Sequence, residues 1–242
     1  MTADEQVPSR RDGRRADTIA EIKEHAWNQL EIKGAGGLSL RGIARDMKIS
    51  PGALFHYFDG QAALITALCV DAYDAQADAL QEAIATAPGP VAQWRALCHA
   101  VRQWALDQPA AFTLIAGTPI PGYSMDPQAT ETVGRRILLI VSSAYLNAVE
   151  TGDADPATTD VPPLTAGPLL TYLAGESIPE TAVTGIVLNA WASILGFISG
   201  EVFGSLSPLV ADTATLFEAH VTTVMRGMGF RHPMVAHSKA DQ

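Results

Sequence analysis

Two helix-start signals stand close together in the segment SLRGIARDMKISPGALFHYFD, residues 39–59. Ser39 precedes a short run with apolar residues at helical spacing, and a serine hydroxyl there can accept a hydrogen bond from the first turn of a helix. Ser50 is followed by Pro51, and proline suits the first helical position because the N–H it lacks has no intrahelical partner there. Only a Lys-Ile pair separates the two predicted helices, so they cannot lie antiparallel and must cross at a steep angle. The segment therefore predicts a helix-turn-helix.

The rest of the chain is predicted to be helical as well, which gives an all-α fold. Apolar residues recur at helical spacing over residues 19–30, and three glycines at 34–37 then end that helix. Further helices are predicted over 61–86, 91–105 and 130–150. No stretch shows the apolar–polar alternation of a half-buried strand. We therefore expect a small N-terminal unit of three helices followed by a larger helical domain.

One predicted helix, residues 183–200 (VTGIVLNAWASILGFISG), contains no charged side chain. Its length is at the lower limit for a membrane-spanning helix, but no cluster of Lys or Arg flanks it to set an orientation. Small residues recur at every fourth position and would allow another helix to approach closely. These residues are Ala192, Gly196, Gly200 and Gly204. We expect a dimer interface on this face; a membrane anchor is the alternative.

Other sequence features favour a cytoplasmic protein without catalytic chemistry. The two cysteines, Cys69 and Cys98, fit neither a disulfide framework nor a CxxC metal site, and we expect buried thiols in a reducing cytoplasm. No apolar run follows the basic residues near the N-terminus, so we predict no signal peptide. The sequence lacks HExxH, GxSxG, P-loop and GxGxxG patterns, and we expect no catalytic residue, cofactor or metal.

Positive charge is concentrated at one end of an acidic chain. The net charge is −10, yet residues 1–60 hold nine Lys/Arg against nine Asp/Glu, while residues 61–242 hold seven against seventeen. Such a protein can approach a polyanion with its N-terminal end. Arg10, Arg11, Arg14 and Arg15 are predicted to form a flexible arm that reaches phosphates or a minor groove. A disordered tail without that role is the alternative.

The predicted helix-turn-helix carries side chains suited to double-stranded DNA. In this motif, the N-terminal residues of the second helix face base edges in the major groove, while neighbouring cations and hydroxyls bind phosphates. Gly52 and Ala53 permit close approach, and His56 offers a hydrogen-bonding group to a base. The groups expected to reach phosphates are those of Arg41, Arg45, Lys48 and Ser50.

The run LSLRGIARDMKISPGALFHYFDGQAAL resembles the helix-turn-helix of the TetR family of bacterial transcriptional repressors. The residues that match the family pattern are Ser39, Ile43, Ala44, Ile49, Ser50, Gly52, Leu54, Phe55, Tyr57, Phe58 and Leu64. The run NAWASILGFISGEVFG resembles the helix that packs across the dimer axis in that family. The resemblance implies a homodimer that reads a palindromic operator and is released from it by a small-molecule effector.

The resemblance also implies a division of the chain. Residues 1–16 are the basic arm, 17–62 the DNA-binding domain, 63–230 the effector-binding and dimerisation domain, and 231–242 a tail. The helix predicted over 61–86 begins where the DNA-binding domain ends, so we expect it to act as the lever between the two. Residue chemistry and resemblance together give the expected DNA contacts: Arg14, Arg15, Ser39, Arg41, Arg45, Lys48, Ser50, Pro51, Gly52, Ala53, His56, Tyr57 and Gln61.

Two positions depart from the family pattern. Phe55 stands where a tyrosine is usual, and Gln61 where a lysine is usual, and both of the usual residues bind phosphate. Each lost cationic contact lowers the log–log salt dependence of DNA binding by about 0.9. The alternative function is therefore a helical small-molecule-binding or interaction protein with weak or lost DNA binding.

The larger domain is rich in big apolar side chains, which are typical of the walls of a small-molecule site. We expect a hydrophobic or aromatic effector, with ordinary core packing as the alternative for each residue. The predicted ligand contacts are Trp94, Trp104, Phe112, Tyr123, Met125, Tyr145, Asn189, Trp191 and Phe197. His99 and Arg102 either orient the ligand or pair with a neighbouring side chain.

Overall fold

The computed structural model describes residues 10–117, 120, 122–124, 127–174 and 182–231. These residues form α-helices and two short 3-10 turns, and no β-strand lies within the described ranges. The helices are α1 (Arg10–Lys33), α2 (Leu40–Asp46), α3 (Pro51–Leu54), α4 (Gly60–Thr86), α5 (Pro90–Asp107), α6 (Pro109–Ala116), α7 (Pro127–Glu150), α8 (Pro168–Ala174), α9 (Ala182–Val202) and α10 (Thr213–Gly227). The predicted all-α fold is confirmed.

Both predicted caps of the helix-turn-helix are present. The Ser39 hydroxyl accepts a hydrogen bond from the Gly42 N–H at 3.2 Å, and the Ser50 hydroxyl accepts one from the Ala53 N–H at 3.2 Å. Between α2 and α3, Lys48 has a φ of 56°, a left-handed conformation that is uncommon outside glycine and turns the chain sharply. These local signals place α2 and α3 as the sequence predicts.

Helix α1 supports the helix-turn-helix from behind. Gln29 on α1 is buried, and its side-chain oxygen accepts a hydrogen bond from the backbone N–H of Ser39 at 2.9 Å. A buried amide held in this way fixes where α2 begins. The apolar residues between these helices form the N-terminal core: Ile22, Ala26, Leu30, Leu38, Ile43, Ala44, Leu54, Phe58, Leu64, Ile65, Leu68 and Cys69.

The larger core lies among α4, α5, α7, α9 and α10. At its centre the rings of Trp94 and Tyr145 meet edge to face with centroids 6.2 Å apart. The Tyr145 hydroxyl donates to the Met228 carbonyl at 2.6 Å, which ties α7 to the end of α10. Burial raises the pKa of Tyr145 to about 12, so the hydroxyl keeps its proton at neutral pH. Cys69 and Cys98 are buried free thiols, as predicted.

Helices α4 and α6 belong to both cores. Helix α4 contributes Leu64 and Leu68 to the N-terminal core and Leu80 to the larger core. Helix α6 packs Leu114 against the N-terminal core and buries Phe112 in the larger one. These two helices therefore connect the two cores physically.

The four arginines predicted to form a flexible arm are part of a helix instead. Helix α1 begins at Arg10, and Arg and Ala, which dominate this stretch, are good helix formers. Asp12 in the first turn complements the positive end of the helix dipole. The arm prediction is therefore wrong for these residues, and residues 1–9 lie outside the described part of the chain. Of the predicted tail, Arg231 donates its N–H to the Asp153 carbonyl at 2.9 Å, and residues 232–242 lie outside the described part.

The predicted small-residue face of α9 is shorter than expected. The helix ends at Val202, and Gly204 lies beyond it with a φ of 74°, so it does not share the face. A Cβ on Gly200 would come within 2.9 Å of the Leu206 side chain, which means that the following segment of the same chain covers this position. Ala192 and Gly196 remain exposed. The dimer interface stays a prediction, now centred on those two residues.

Candidate nucleic-acid interface and ligand cavity

The predicted phosphate-binding groups lie on the surface of the helix-turn-helix. Arg41 and Arg45 on α2, Lys48 in the turn and Ser50 before α3 are all exposed. Gln61, in the first turn of α4, is exposed as well. Within the described residues, no ion pair holds Arg41, Arg45 or Lys48. Their charges are thus available to an incoming phosphate.

The sequence predicts the second helix of the motif over residues 51–57, and the helix in the structure is shorter. Helix α3 ends at Leu54, and a tight turn follows, in which the N–H groups of His56 and Tyr57 bond carbonyls three residues earlier, at 3.2 and 3.0 Å. The burial of Leu54 and Phe58 on either side anchors the turn. Pro51, Gly52 and His56 are exposed, and Ala53 is half-buried. The residues expected to face bases are thus at the surface.

The start of α1 contacts the recognition turn, which sequence reasoning missed. The Arg15 guanidinium donates to the His56 carbonyl at 3.1 Å and lies 5.3 Å from the centre of the Tyr57 ring. This cation–π geometry holds α1 against the turn. A groove between them is lined by Arg10, Arg11, Asp12, Arg14, Arg15, Thr18, His56 and Tyr57. The arginine arm is therefore a helical, basic wall beside the recognition turn.

A cavity of about 220 Å³ lies in the larger domain. Its walls come from five helices: α4, α6, α7, α8 and α9. The lining residues are Tyr73, Gln76, Phe112, Ile115, Ala116, Thr130, Gly134, Ile137, Leu169, Trp191 and Leu195. Most of this surface is apolar, as in small-molecule sites generally. Two of the walls, α4 and α6, are the helices shared with the N-terminal core.

The structure brings only part of the predicted ligand set to this cavity. Phe112 and Trp191 line it. Trp94, Trp104 and Tyr145 pack in the larger core, and Phe197 packs edge to face on Phe217. These side chains, like the exposed Asn189, lie outside the lining of this cavity. Met125 lies outside the described residues.

Tyr123 is also placed away from the cavity. Its hydroxyl is 3.0 Å from the Thr66 hydroxyl, and the ring packs against the N-terminal core. The residues that sequence reasoning missed include Tyr73 and Gln76 on α4. A polar residue in the Ala-rich stretch of α4 was the available signal for Gln76.

His99 and Arg102 pair with neighbouring carboxylates. His99 Nε2 lies 2.8 Å from Glu218, and the Arg102 guanidinium donates twice to Glu201, at 2.7 and 2.6 Å. Burial alone raises the pKa of Glu201, but hydrogen bonds from Arg102 and Thr213 and the charge of Arg102 outweigh it and leave that pKa below its usual value. The Arg102–Glu201 pair joins α5 to α9, and for both His99 and Arg102 the structure shows the pairing alternative.

Comparison with known proteins gives a family. Residues 22–68 match the bacterial regulatory proteins of the tetR family, and residues 94–224 match the tetracyclin repressor-like C-terminal domain. The HTH-type transcriptional regulators Rv1816 of Mycobacterium tuberculosis and Mb1846 of Mycobacterium bovis are each 35% identical over 222 residues, covering 88% of this chain and 92% of theirs. The crystal structure of the regulatory protein SCO4313 matches with a TM-score of 0.70 at 34% identity, over 91% of this chain and 100% of that one.

The second of these family matches alone spans more than half of the chain, and relatives at about a third identity span most of it. The N-terminal match falls on the capped helix-turn-helix described above. This chain therefore belongs to the TetR family of DNA-binding transcriptional regulators.

Proposed function

We propose that the protein is a cytoplasmic repressor that binds a palindromic operator as a homodimer and is released by a small hydrophobic or aromatic effector. The observation that carries this proposal is the cavity of about 220 Å³, because two of its walls, α4 and α6, also pack in the N-terminal core. A ligand in the cavity therefore contacts the same helices that position the DNA-reading unit.

The exposed face of α9 supports the homodimer. Residues Val183–Val202 are long and apolar enough to cross a membrane by length and composition, yet only 39% of that stretch is buried within the chain. Ala192 and Gly196 are exposed on it, and no atom lies within 4 Å of a Cβ built on Gly196. A second copy packed on this face would bury it and place two recognition turns on one duplex.

Release by an effector follows from differential binding. The dimer reads two half-sites whose centres are about one helical turn apart, or a multiple of it. A ligand that prefers the arrangement in which the recognition turns are wrongly spaced shifts the population away from DNA, while a ligand indifferent to both arrangements shifts nothing. Tyr73, on the cavity wall, lies on α4 about one helical turn beyond Cys69 of the N-terminal core, which gives a short path for this coupling.

Gly134→Leu tests the effector part of the proposal. Gly134 lies on α7 and lines the cavity, so we expect a leucine there to reduce the space for a ligand. Replacing a helical glycine also improves helix propensity by about 0.8 kcal/mol. We expect the variant to bind operator DNA like the wild type but to need at least about tenfold more effector for release. The measurement is fluorescence anisotropy of a labelled operator titrated with apolar compounds. Release of both proteins at the same concentration would contradict the cavity as the effector site.

Gly196→Arg tests the dimer. The site is open in the single chain, so the larger side chain is tolerated by the fold, whereas a desolvated charge at a close helix–helix contact is costly. We expect sedimentation velocity to show a monomer. At matched monomer concentration, the thermal unfolding midpoint of the variant should equal that of the wild type after the stabilisation that dimerisation gives the wild type is subtracted. The control is Gly167→Arg, at another exposed glycine with no atom near its Cβ. A Gly196→Arg protein that stays dimeric would place the interface elsewhere.

A further inference from the structure

Among the described residues that line the cavity, Gln76 is a buried polar side chain without a hydrogen-bond partner. Two glutamines are buried in the described part of the chain, Gln29 at 6% and Gln76 at 4% exposure. Gln29 accepts a hydrogen bond from Ser39. The Gln76 side chain makes no hydrogen bond to any of the described residues, and it lines the cavity. Buried amides are paired in the great majority of cases, so an unpaired amide facing an apolar cavity calls for a ligand group.

The charges around the cavity are already compensated. Arg135 and Arg136 flank the lining residues Gly134 and Ile137 on α7, but Arg135 donates to Glu131 at 2.9 Å through its terminal nitrogen and Arg136 pairs with Asp74 and Asp78 on α4. The buried Nε of Arg135 has no partner among the described residues, but Arg135 is not among the described lining residues of the cavity. Tyr73 is the ionisable side chain among the described lining residues. Burial raises the pKa of its phenol. An ionised ligand would thus lose its hydration without gaining a free counter-charge.

We propose that Gln76 is the polar anchor of the cavity and that the ligand is an uncharged, largely apolar molecule with one hydroxyl, carbonyl or amide group placed against it. This inference rests on the proposed function and specifies the chemical class of its effector. The glutamine amide offers both a donor and an acceptor, so it accommodates any of these three groups. The surrounding apolar wall, including Phe112 and Trp191, takes the rest of the molecule.

The volume sets the size of the ligand. A closed apolar cavity of about 150 Å³ holds benzene, so the cavity of about 220 Å³ suits a two-ring molecule. Three probes of equal ring size differ only in the group presented to Gln76: naphthalene, 2-naphthol and 2-naphthoate. Isothermal titration calorimetry with the full-length protein, without DNA, measures binding of each probe.

For the wild type, we expect the affinities of the three probes to differ according to the polar group that each probe carries. 2-Naphthol should bind about three- to tenfold more tightly than naphthalene, the gain of one neutral hydrogen bond. 2-Naphthoate should bind at least about 100-fold more weakly than 2-naphthol, since its carboxylate finds no free cation. Gln76→Leu should remove the preference for 2-naphthol over naphthalene while retaining naphthalene binding. Gln81→Leu is the same change on the exposed side of α4. It removes one acceptor of Arg136, which keeps Asp74 and Asp78 as partners, and should leave the preference intact.

Three results would overturn the assignment. They are binding of 2-naphthoate as tight as that of 2-naphthol, an unchanged preference in Gln76→Leu, and no binding of any of the three probes. A thermal unfolding midpoint for Gln76→Leu at or above that of the wild type shows that the fold is intact, since the change removes an unpaired buried amide. Because calorimetry is done without DNA, binding that fails to release the operator would contradict the proposed function while leaving the role of Gln76 standing.

Discussion

Gly52→Glu is expected to weaken operator binding by at least about 100-fold without destabilising the fold. Gly52 is exposed in the first turn of α3, and a Cβ built there meets only the Ser50 hydroxyl, at 3.9 Å. The fold therefore accepts a longer side chain. On the proposed complex, however, a carboxylate at this position faces the phosphates and base edges of the major groove, and like-charge juxtaposition at an interface costs several kcal/mol.

The measurement is anisotropy with an operator selected by the wild type, with urea unfolding as the check on stability. Gly52→Ala should bind nearly as well as the wild type, because it adds only a methyl group in open space. Gly167→Glu carries the same charge change in the larger domain and should leave DNA binding unaltered. Equal affinity of Gly52→Glu and Gly167→Glu would mean that the recognition turn does not enter the groove.

Arg102→Ala should lower the free energy of unfolding by about 3–5 kcal/mol at pH 7, the usual cost of leaving one partner of a buried ion pair uncompensated. The Glu201 side chain is 4% exposed, and both of its oxygens accept from Arg102. The guanidinium also lies 5.1 Å from the centre of the Phe217 ring. Lys23→Ala is the control, since Lys23 and Asp71 form a more exposed pair, with side chains 24% and 40% exposed, and should cost about 1 kcal/mol or less.

The pH dependence of the destabilisation caused by Arg102→Ala distinguishes a lost charge interaction from lost packing. The pKa of Glu201 is held below its usual value in the folded protein, so the carboxylate stabilises the fold above the usual value and this contribution is lost as the pH falls through the lowered pKa. In Arg102→Ala, burial raises that pKa and only the hydrogen bond from Thr213 opposes it, so protonation relieves the buried charge. Urea unfolding should therefore show the two proteins converging as the pH falls from 7 to about 3, through the usual and then the lowered pKa of the carboxyl group. A cost that is constant over this range would assign it to lost packing.

The parts of the fold that the sequence predicts correctly are those determined by interactions between residues close together in the chain. Ser39, Ser50 and Pro51 mark helix starts through hydrogen bonds and ring geometry that lie within one turn of each residue, and α2 and α3 begin there. The uncharged run of α9 likewise predicts a helix by composition alone. The prediction of a flexible arm was wrong because no helix-breaking segment separates Arg10–Ala16 from the rest of α1, and Gly13 alone does not interrupt the helix.

The cavity and the ion pairs could not be predicted in the same way, since they depend on residues far apart in the chain. Large aromatic residues serve the core and a ligand site equally well, and Trp94 fills the core while Trp191 lines the cavity. Whether an aromatic residue lines the cavity or fills the core depends on where the packing of five helices leaves a gap, and hydrophobic periodicity does not predict that gap. Arg102 and Glu201 meet only because α5 packs on α9. Of the ligand contacts predicted from the sequence, Phe112 and Trp191 line the cavity that the structure shows in the larger domain.

The central claim, that this chain reads a symmetric DNA site, is tested most directly by selection from randomised double-stranded DNA. The purified, full-length protein is used without added ligand at moderate salt, and the enriched fragments are sequenced. We expect a two-fold symmetric motif whose half-sites are centred about one helical turn, or a multiple of it, apart, and no such motif with Gly52→Glu. A folded wild-type protein that enriches no motif, even after the salt is lowered to strengthen phosphate contacts, would contradict the claim and favour a helical small-molecule-binding protein without operator recognition.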